Sequence, residues 1–228
     1  LVRDHAGPGQ GYTKDNGYES LMYDCKYLNM IHIDPWKDHQ KYEDGLRLTI
    51  EMINFCNSRN PHIEFEIGTE EAIRKFSAEE LDQLAFDLSD RLSYKIFPKI
   101  KYLVIQSGTS LEGNENTGSY DKARLDRMIK VCKKYNLLSK EHNGDYLPAN
   151  LVKEKFEAGL DSINIAPEFG QIETKVYLNK IKKEKPYLLE VFYKICYDSK
   201  RWEKWVNEDF DPLTQKEELI NICGHYIV

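Results

Sequence analysis

The sequence predicts an α/β fold of the TIM (β/α)8-barrel type, and three observations carry that reading. Short apolar runs alternate with longer helical patterns along the chain, which implies parallel strands joined by right-handed crossovers. Nearly every strand-like run ends in polar residues, and chemistry at the carboxyl ends of many strands is what a barrel mouth provides. No Gly-x-Gly-x-x-Gly or P-loop pattern supports the doubly wound, nucleotide-binding sheet that the alternation alone also fits. The alternation supplies six βα units, two short of a closed barrel.

In order, "LVRDHAG" is strand-like and is followed by a helical stretch near "GYESLMYDCKYLN", then the strand "MIHID" and a helix over "YEDGLRLTIEMINFCNSR". "HIEFEIGT" reads as the third strand. The helix after it opens on a capping box, with Ser77 as cap and Glu80 at N3. "KYLVIQSG" is the next strand, and "SGTSLEGNENTG" after it is a polar loop that either cradles an anion or simply turns. The helix beyond carries Leu125, Met128, Ile129 and Cys132 as one apolar stripe. "LLSKEHNGD" precedes a helix with Val152 and Phe156 one turn apart, closed by Gly159, and "LDSINIAPEFG" completes the series. The expected division is residues 1–175 for the barrel units and 176–228 for a C-terminal helical extension that stops abruptly after an apolar run. In that extension Trp202 and Trp205 read as packing and the lysine-rich 180–185 as a solvated helix face.

The chain has 228 residues, enough for one sizeable core, and 41% hydrophobic with 31% charged residues is ordinary for a globular protein. A net charge of −6 without a basic stripe argues against nucleic acid as the partner. No apolar run reaches the ~20 residues of a membrane span. Five cysteines, widely spaced and without a Cys-x-x-Cys, suit reduced, buried thiols and a cytoplasmic setting.

Two histidines sit at strand ends beside carboxylates, Asp4-His5 and Glu141-His142. Imidazole is a good ligand for zinc or a similar divalent ion, and a neighbouring carboxylate can orient the ring or move a proton. Two histidines make a partial site, since catalytic zinc usually has three protein ligands. His32, in phase with Met30 and Asp34, reads equally as a ligand or as a satisfied barrel residue, and His39 and His62 read as loop residues. Glu66 lies within a strand, where an inward carboxylate must be paired or bound to metal. The polar strand-end residues Asp34, Gln106, Ser107 and Glu141, with Asp145, are the expected substrate contacts.

Several of these segments together resemble the class II, metal-dependent sugar-phosphate aldolases, and more closely the Z-type subunit family associated with tagatose-bisphosphate aldolase. The resemblance rests on "DHAGP", "IHID", "EIGTE", "FPKIKYLVIQSGT", "KEHNGDY" and "SINIAPEFG", six motifs in the family's order over roughly residues 2–175. It implies a TIM barrel in which "LVRDHAG" is the third strand and "INIAPEFG" the eighth, so that the first two βα units are absent from this stretch. Residue by residue, it implies Asp4 as the acid/base, with Glu66 as a strand-end carboxylate near the metal and so a second candidate catalytic group. His5 and His142 would be metal ligands and Asn164 a substrate contact. The family's third metal histidine is not reproduced; Glu112 stands near its place in "GTSLEG" and is the candidate third ligand. "NGDY" replaces the family's phosphate-binding Gly-Gly-Ser-Gly, and "APE" its Asp-Thr-Asp.

The activity implied is metal-dependent aldol cleavage or condensation of a sugar phosphate, a carbon–carbon lyase reaction of carbohydrate metabolism, with zinc as the expected metal. A sugar-phosphate-like small molecule and a second copy or a partner aldolase subunit are the implied partners. Two alternatives stand beside it. Z-type subunits are regarded as non-catalytic, which implies an accessory or assembly role; and a sugar-phosphate epimerase would use the same metal-assisted chemistry.

Overall fold

The computed structural model describes residues 1–10 and 15–226, and these form two compact units. The elements of the first half, in chain order, are β1 (Val2–Ala6), α1 (Tyr18–Tyr27), β2 (Met30–Ile33), α2 (Tyr42–Arg59), β3 (Glu64–Ile67), α3 (Ala78–Arg91) and β4 (Ile100–Ile105). There follow β5 (Leu111–Glu112), β6 (Glu115–Asn116), α4 (Lys122–Lys134), β7 (Leu138–Glu141), α5 (Ala149–Glu157), β8 (Ser162–Ile163), α6 (Pro167–Glu184), α7 (Leu188–Ser199) and α8 (Lys216–Cys223).

The first unit comprises Leu1–Gly108, Ser119–His142 and Asn150–Ile163. Its sheet has six strands in the order β1-β2-β3-β4-β7-β8, every neighbouring pair parallel. This is a curled half-barrel with helical crossovers rather than a closed barrel. Strand alternation divides each strand between two faces. Ile31, Ile33, Phe65, Ile67, Leu103 and Ile105 lie on one face and are buried in the main core with Leu46, Ile53, Leu81, Leu88, Leu125 and Met128 from the helices. In register on the opposite face stand His32, Glu66 and Tyr102.

Local chemistry explains the helix starts. Ser77 accepts the Glu80 backbone N–H as the sequence expects, and the Glu80 carboxylate pairs with Arg74 at 2.5 Å. Asp121 caps α4 in the same manner through the Arg124 N–H, and the expected stripe Leu125, Met128, Ile129 and Cys132 is buried. In α2, Gly45 lies flat against Trp36: a Cβ there would stand 2.3 Å from Cζ3 of the indole. Gly45→Ala should therefore destabilise the protein by ~1–3 kcal/mol through overpacking, against a helix-propensity gain of about 1 kcal/mol. Urea unfolding of the variant checks this, and a midpoint at or above that of the parent contradicts it.

Helix α5 corrects the sequence reading. Val152 and Phe156 mark its expected apolar face, but Phe156 is 44% exposed while Lys155 is fully buried. Lys155 Nζ donates to Glu141 Oε2 and to Ser107 Oγ, both at 2.6 Å, and lies over the Tyr120 ring. A paired and hydrogen-bonded lysine has displaced an aromatic as the inward residue.

The second unit comprises Thr109–Gly118, Asn143–Ala149 and Asn164–Val228. The polar loop after β4 is a short antiparallel hairpin of β5 and β6. Helices α6 to α8 enclose a second core of Leu178, Tyr193, Cys196, Leu219 and Ile220. Trp202 packs against that core, and Trp205 stacks on His225 with 3.8 Å between ring centroids. The lysine-rich 180–185 is largely exposed. The last two residues of the C-terminal apolar run, Ile227 and Val228, lie outside the described residues. Among the described residues no helix is long and apolar enough to cross a membrane.

Candidate metal centre

Consecutive residues of a regular strand point to opposite faces, so Asp4 and His5 reach one site only through a backbone irregularity. Arg3 pairs with Ile31 and Ala6 with Ile33, which leaves one extra residue on β1, a bulge. His5 sits within it at φ 46°, in the left-handed region. The result is that Asp4 and His5 both turn toward β2. The other pair, Glu141-His142, obeys the alternation. Glu141 points to the helices and Lys155, while His142 joins His32 and Glu66 on the opposite face.

Asp4, His5, His32 and His142 present ligand atoms that all lie within 4.8 Å of one another. The three imidazole centroids are 4.8–5.1 Å apart. Each ring is held through one nitrogen by a group that can only accept. His5 Nδ1 is 2.7 Å from Asp34 Oδ2, His32 Nε2 is 3.0 Å from the Gly68 carbonyl, and His142 Nε2 is 2.6 Å from Glu66 Oε1. Those nitrogens carry the protons, so in neutral rings the lone pairs lie on His5 Nε2, His32 Nδ1 and His142 Nδ1. These stand 4.0, 3.1 and 3.9 Å from Asp4 Oδ1. Glu70 adds a carboxylate oxygen 3.7 Å from His5 Nε2.

Gly68 is required here. Its φ is 128°, and a Cβ at this position would stand 2.9 Å from Val104 Cβ, so no larger residue fits while its carbonyl faces His32. The anchors are themselves anchored. Asp34 is fully buried and accepts the Thr69 hydroxyl at 3.1 Å, and Lys140 Nζ is 2.5 Å from Glu66 Oε2. Asn replacing Asp34 can present its amide NH2 to His5 Nδ1 and turn the ring's proton toward the site. Asp34→Asn should lower divalent-metal affinity about 10–100-fold, as titration calorimetry with zinc will show; unchanged affinity contradicts the anchoring role.

With all three rings neutral, three lone pairs and a carboxylate would face one point, an electron-rich pocket that protons or a metal cation must neutralise. The charges respond accordingly. Burial pushes the His32 imidazole down, but Glu66 and Asp4 override it and lift it to about 9. His5 is likewise raised, its burial outweighed by Asp34 and Asp4. In His142 burial wins over Glu66 and the ring is held low. Against burial, the His32 hydrogen bond and the imidazole charges hold Asp4 well below the usual carboxylate range; against burial too, the His32 charge, the His142 hydrogen bond and Lys140 bring Glu66 to about 2. A divalent ion fits this donor set, with His5, His32 and His142 as nitrogen ligands and Asp4 beside them.

The other residues singled out from the sequence have different surroundings. Gln106 is saturated: its Oε1 accepts from Phe76 N and Arg124, and its Nε2 donates to the Thr69 and Arg74 carbonyls. Ser107 and Glu141 belong to the buried Lys155 network. Glu112, Asp145 and Asn164 lie in the second unit. Glu112 is exposed on the β5–β6 hairpin and is not a member of the Asp–His group. Asp145 Oδ1 accepts the Ala166 and Glu168 N–H groups and caps α6, and the Asn164 carbonyl accepts from Gly144 N. His32, Glu70 and Lys140 enter the site from outside the expected set. Only His32 left a sequence signal, its phase with Asp34 in "MIHID".

A scan against protein-family models finds no match, and a search of curated proteins finds none either. Solved structures do match. A probable tagatose 6 phosphate kinase from Sinorhizobium meliloti 1021 superposes with a TM-score of 0.71 at 13% identity, over 98% of this chain and 64% of that one. The fructuronate-tagaturonate epimerase UxaE from Cohnella laeviribosi gives 0.62 at 12% identity, over 96% and 55%. The YdjI aldolase from Escherichia coli K12 gives 0.51 at 12%, over 97% and 62%. The chain thus spans less than two thirds of each, and what it has in common with these three proteins is their fold.

Proposed function

We propose that this chain belongs to a metal-dependent enzyme of carbohydrate metabolism that cleaves or forms a carbon–carbon bond in a sugar phosphate by aldol chemistry. One observation carries the reading: three imidazoles, each pinned by an acceptor, turn their remaining nitrogens toward one point beside Asp4. The fold likeness to an aldolase and to an epimerase supports it. His5, His32 and His142 would hold the ion, zinc being the first candidate for such a nitrogen set. Bound there, it would supply Lewis-acid polarisation of a substrate carbonyl.

Asp4 is the proton carrier in this scheme. Its side chain is 54% exposed while His32 and Glu66 are fully buried, so it is the carboxylate able to meet a substrate hydroxyl. The imidazoles keep it ionised, the form in which a carboxylate can accept a proton. Glu66, expected from the sequence to be catalytic, is given a positioning role here, holding His142 and paired with Lys140.

The test is elemental analysis of the purified chain, followed by assays on ketose phosphates before and after chelation. Stoichiometric zinc, with cleavage lost on chelation and restored by zinc, is the expected result. Absence of stoichiometric divalent metal overturns the proposal. The epimerase alternative has one observation in its favour, the higher TM-score of the epimerase (0.62) than of the aldolase (0.51). Inversion of a sugar carbon without cleavage would select it. Bound metal without turnover of either kind would select an accessory subunit.

A further inference from the structure

Four of the five cysteines, scattered in sequence, are paired in space. Cys25 of α1 lies against Cys56 of α2, its Sγ 3.9 Å from the Cys56 carbonyl. Cys223, the last residue of α8, lies against Cys196 of α7, its Sγ 3.8 Å from the Cys196 carbonyl. Within each pair one thiol is thus directed at the other cysteine's backbone carbonyl. The pairs differ in access. Cys25 and Cys56 are 3% and 0% exposed, and the fifth cysteine, Cys132, is 1% exposed. Cys196 is nearly as buried at 5%, but Cys223 is open to solvent in part.

We propose that Cys196 and Cys223 are a redox-active thiol pair that hydrogen peroxide oxidises to a disulfide joining α7 to α8. The surroundings favour Cys223 as the attacking sulfur. The hydrogen bond with Cys196 pushes the Cys223 thiol down, and Ser199 and the Arg201 cation add to that against the opposing effect of burial. Cys196 is pushed up by the same hydrogen bond and by burial. Ser199 Oγ, 4.0 Å from Cys223 Sγ, donates to the Cys196 carbonyl at 2.6 Å, so the three residues form one local cluster.

The chemistry balances. The Cys223 thiolate attacks one peroxide oxygen, the O–O bond breaks, hydroxide leaves, and Cys223 becomes a sulfenic acid. The Cys196 sulfur then attacks the Cys223 sulfur; the S–S bond forms as the S–O bond breaks, and the oxygen departs as water. Two thiols lose two protons and two electrons, and one peroxide becomes two waters.

The full chain, treated with hydrogen peroxide while folded, is alkylated, unfolded, alkylated with a second, isotopically labelled reagent, digested and analysed by mass spectrometry. The expected product is a cross-linked peptide pair containing Cys196 and Cys223, lighter by two hydrogens, with Cys25, Cys56 and Cys132 recovered as thiols. Cys196→Ser should stop the reaction at a Cys223 sulfenic acid that dimedone traps, and Cys223→Ser should leave Cys196 reduced. Cross-linking of Cys25 to Cys56 before Cys196 to Cys223 overturns the proposal. So does over-oxidation of Cys223 in the unsubstituted chain without any cross-link, or no reaction of either thiol.

Discussion

A His32→Ala protein is expected to retain its fold and to lose stoichiometric zinc, and with it any cleavage of a ketose phosphate. His32 is the middle member of the imidazole group, with ring centroids 4.8 Å from His5 and 4.9 Å from His142. Removing it leaves two nitrogen ligands where a catalytic zinc site ordinarily has three protein ligands. Against burial, Glu66 and Asp4 lift His32 to about 9, so the charged ring supports the metal-free fold near neutral pH and its loss also costs some stability. Elemental analysis and circular dichroism on one preparation separate the two effects. Full zinc occupancy in the folded variant would remove His32 from the ligand set and leave the sequence-derived His5, His142 and Glu112 as the set to test.

Lys155→Ala is expected to cost ~3–5 kcal/mol of folding stability, the cost of stranding one member of a buried ion pair. Glu141 is fully buried, and after the substitution its Oε2 loses the Lys155 ammonium while Oε1 keeps the Ser107 N–H and hydroxyl. The double change Lys155→Met with Glu141→Leu removes both charges and should recover most of that loss. Urea denaturation of the three proteins measures it. A single variant within about 0.5 kcal/mol of the parent, the range of ordinary surface substitutions, would mean the pair is not structurally important.

The sheet was legible because its signal is local: each strand is a short apolar run between helices, and the six runs are the six strands of the parallel sheet. Asp4, His5 and His142 were legible as strand-end histidines with adjacent acids. His32 remained ambiguous because period-2 phase says which face a residue takes but not what meets it there. What decides the matter is Gly68, just past β3, and Asp4 on β1. Lys155 was illegible for the same reason. Helical periodicity ranks residues by apolarity, and a lysine inverts that ranking only when a carboxylate waits beneath it. Gln106, Ser107 and Asp145 have the residue types of ligand contacts, yet their hydrogen bonds go to the protein itself. The cysteines follow the same pattern: spacing along the chain said nothing of the pairing between neighbouring helices.

The extra residue in β1 makes the site depend on length as well as on identity. Deleting one residue between Arg3 and Ala6 would restore regular pairing with β2 and send neighbouring side chains to opposite faces. The two residues that stand there are Asp4 and His5, so such a deletion removes one of the pair and leaves the other on a regularly alternating strand. Among homologous chains, then, a gap at this position would be as informative about loss of chemistry as the replacement of a ligand, and a count of retained histidines would miss it where Asp4 is the residue lost.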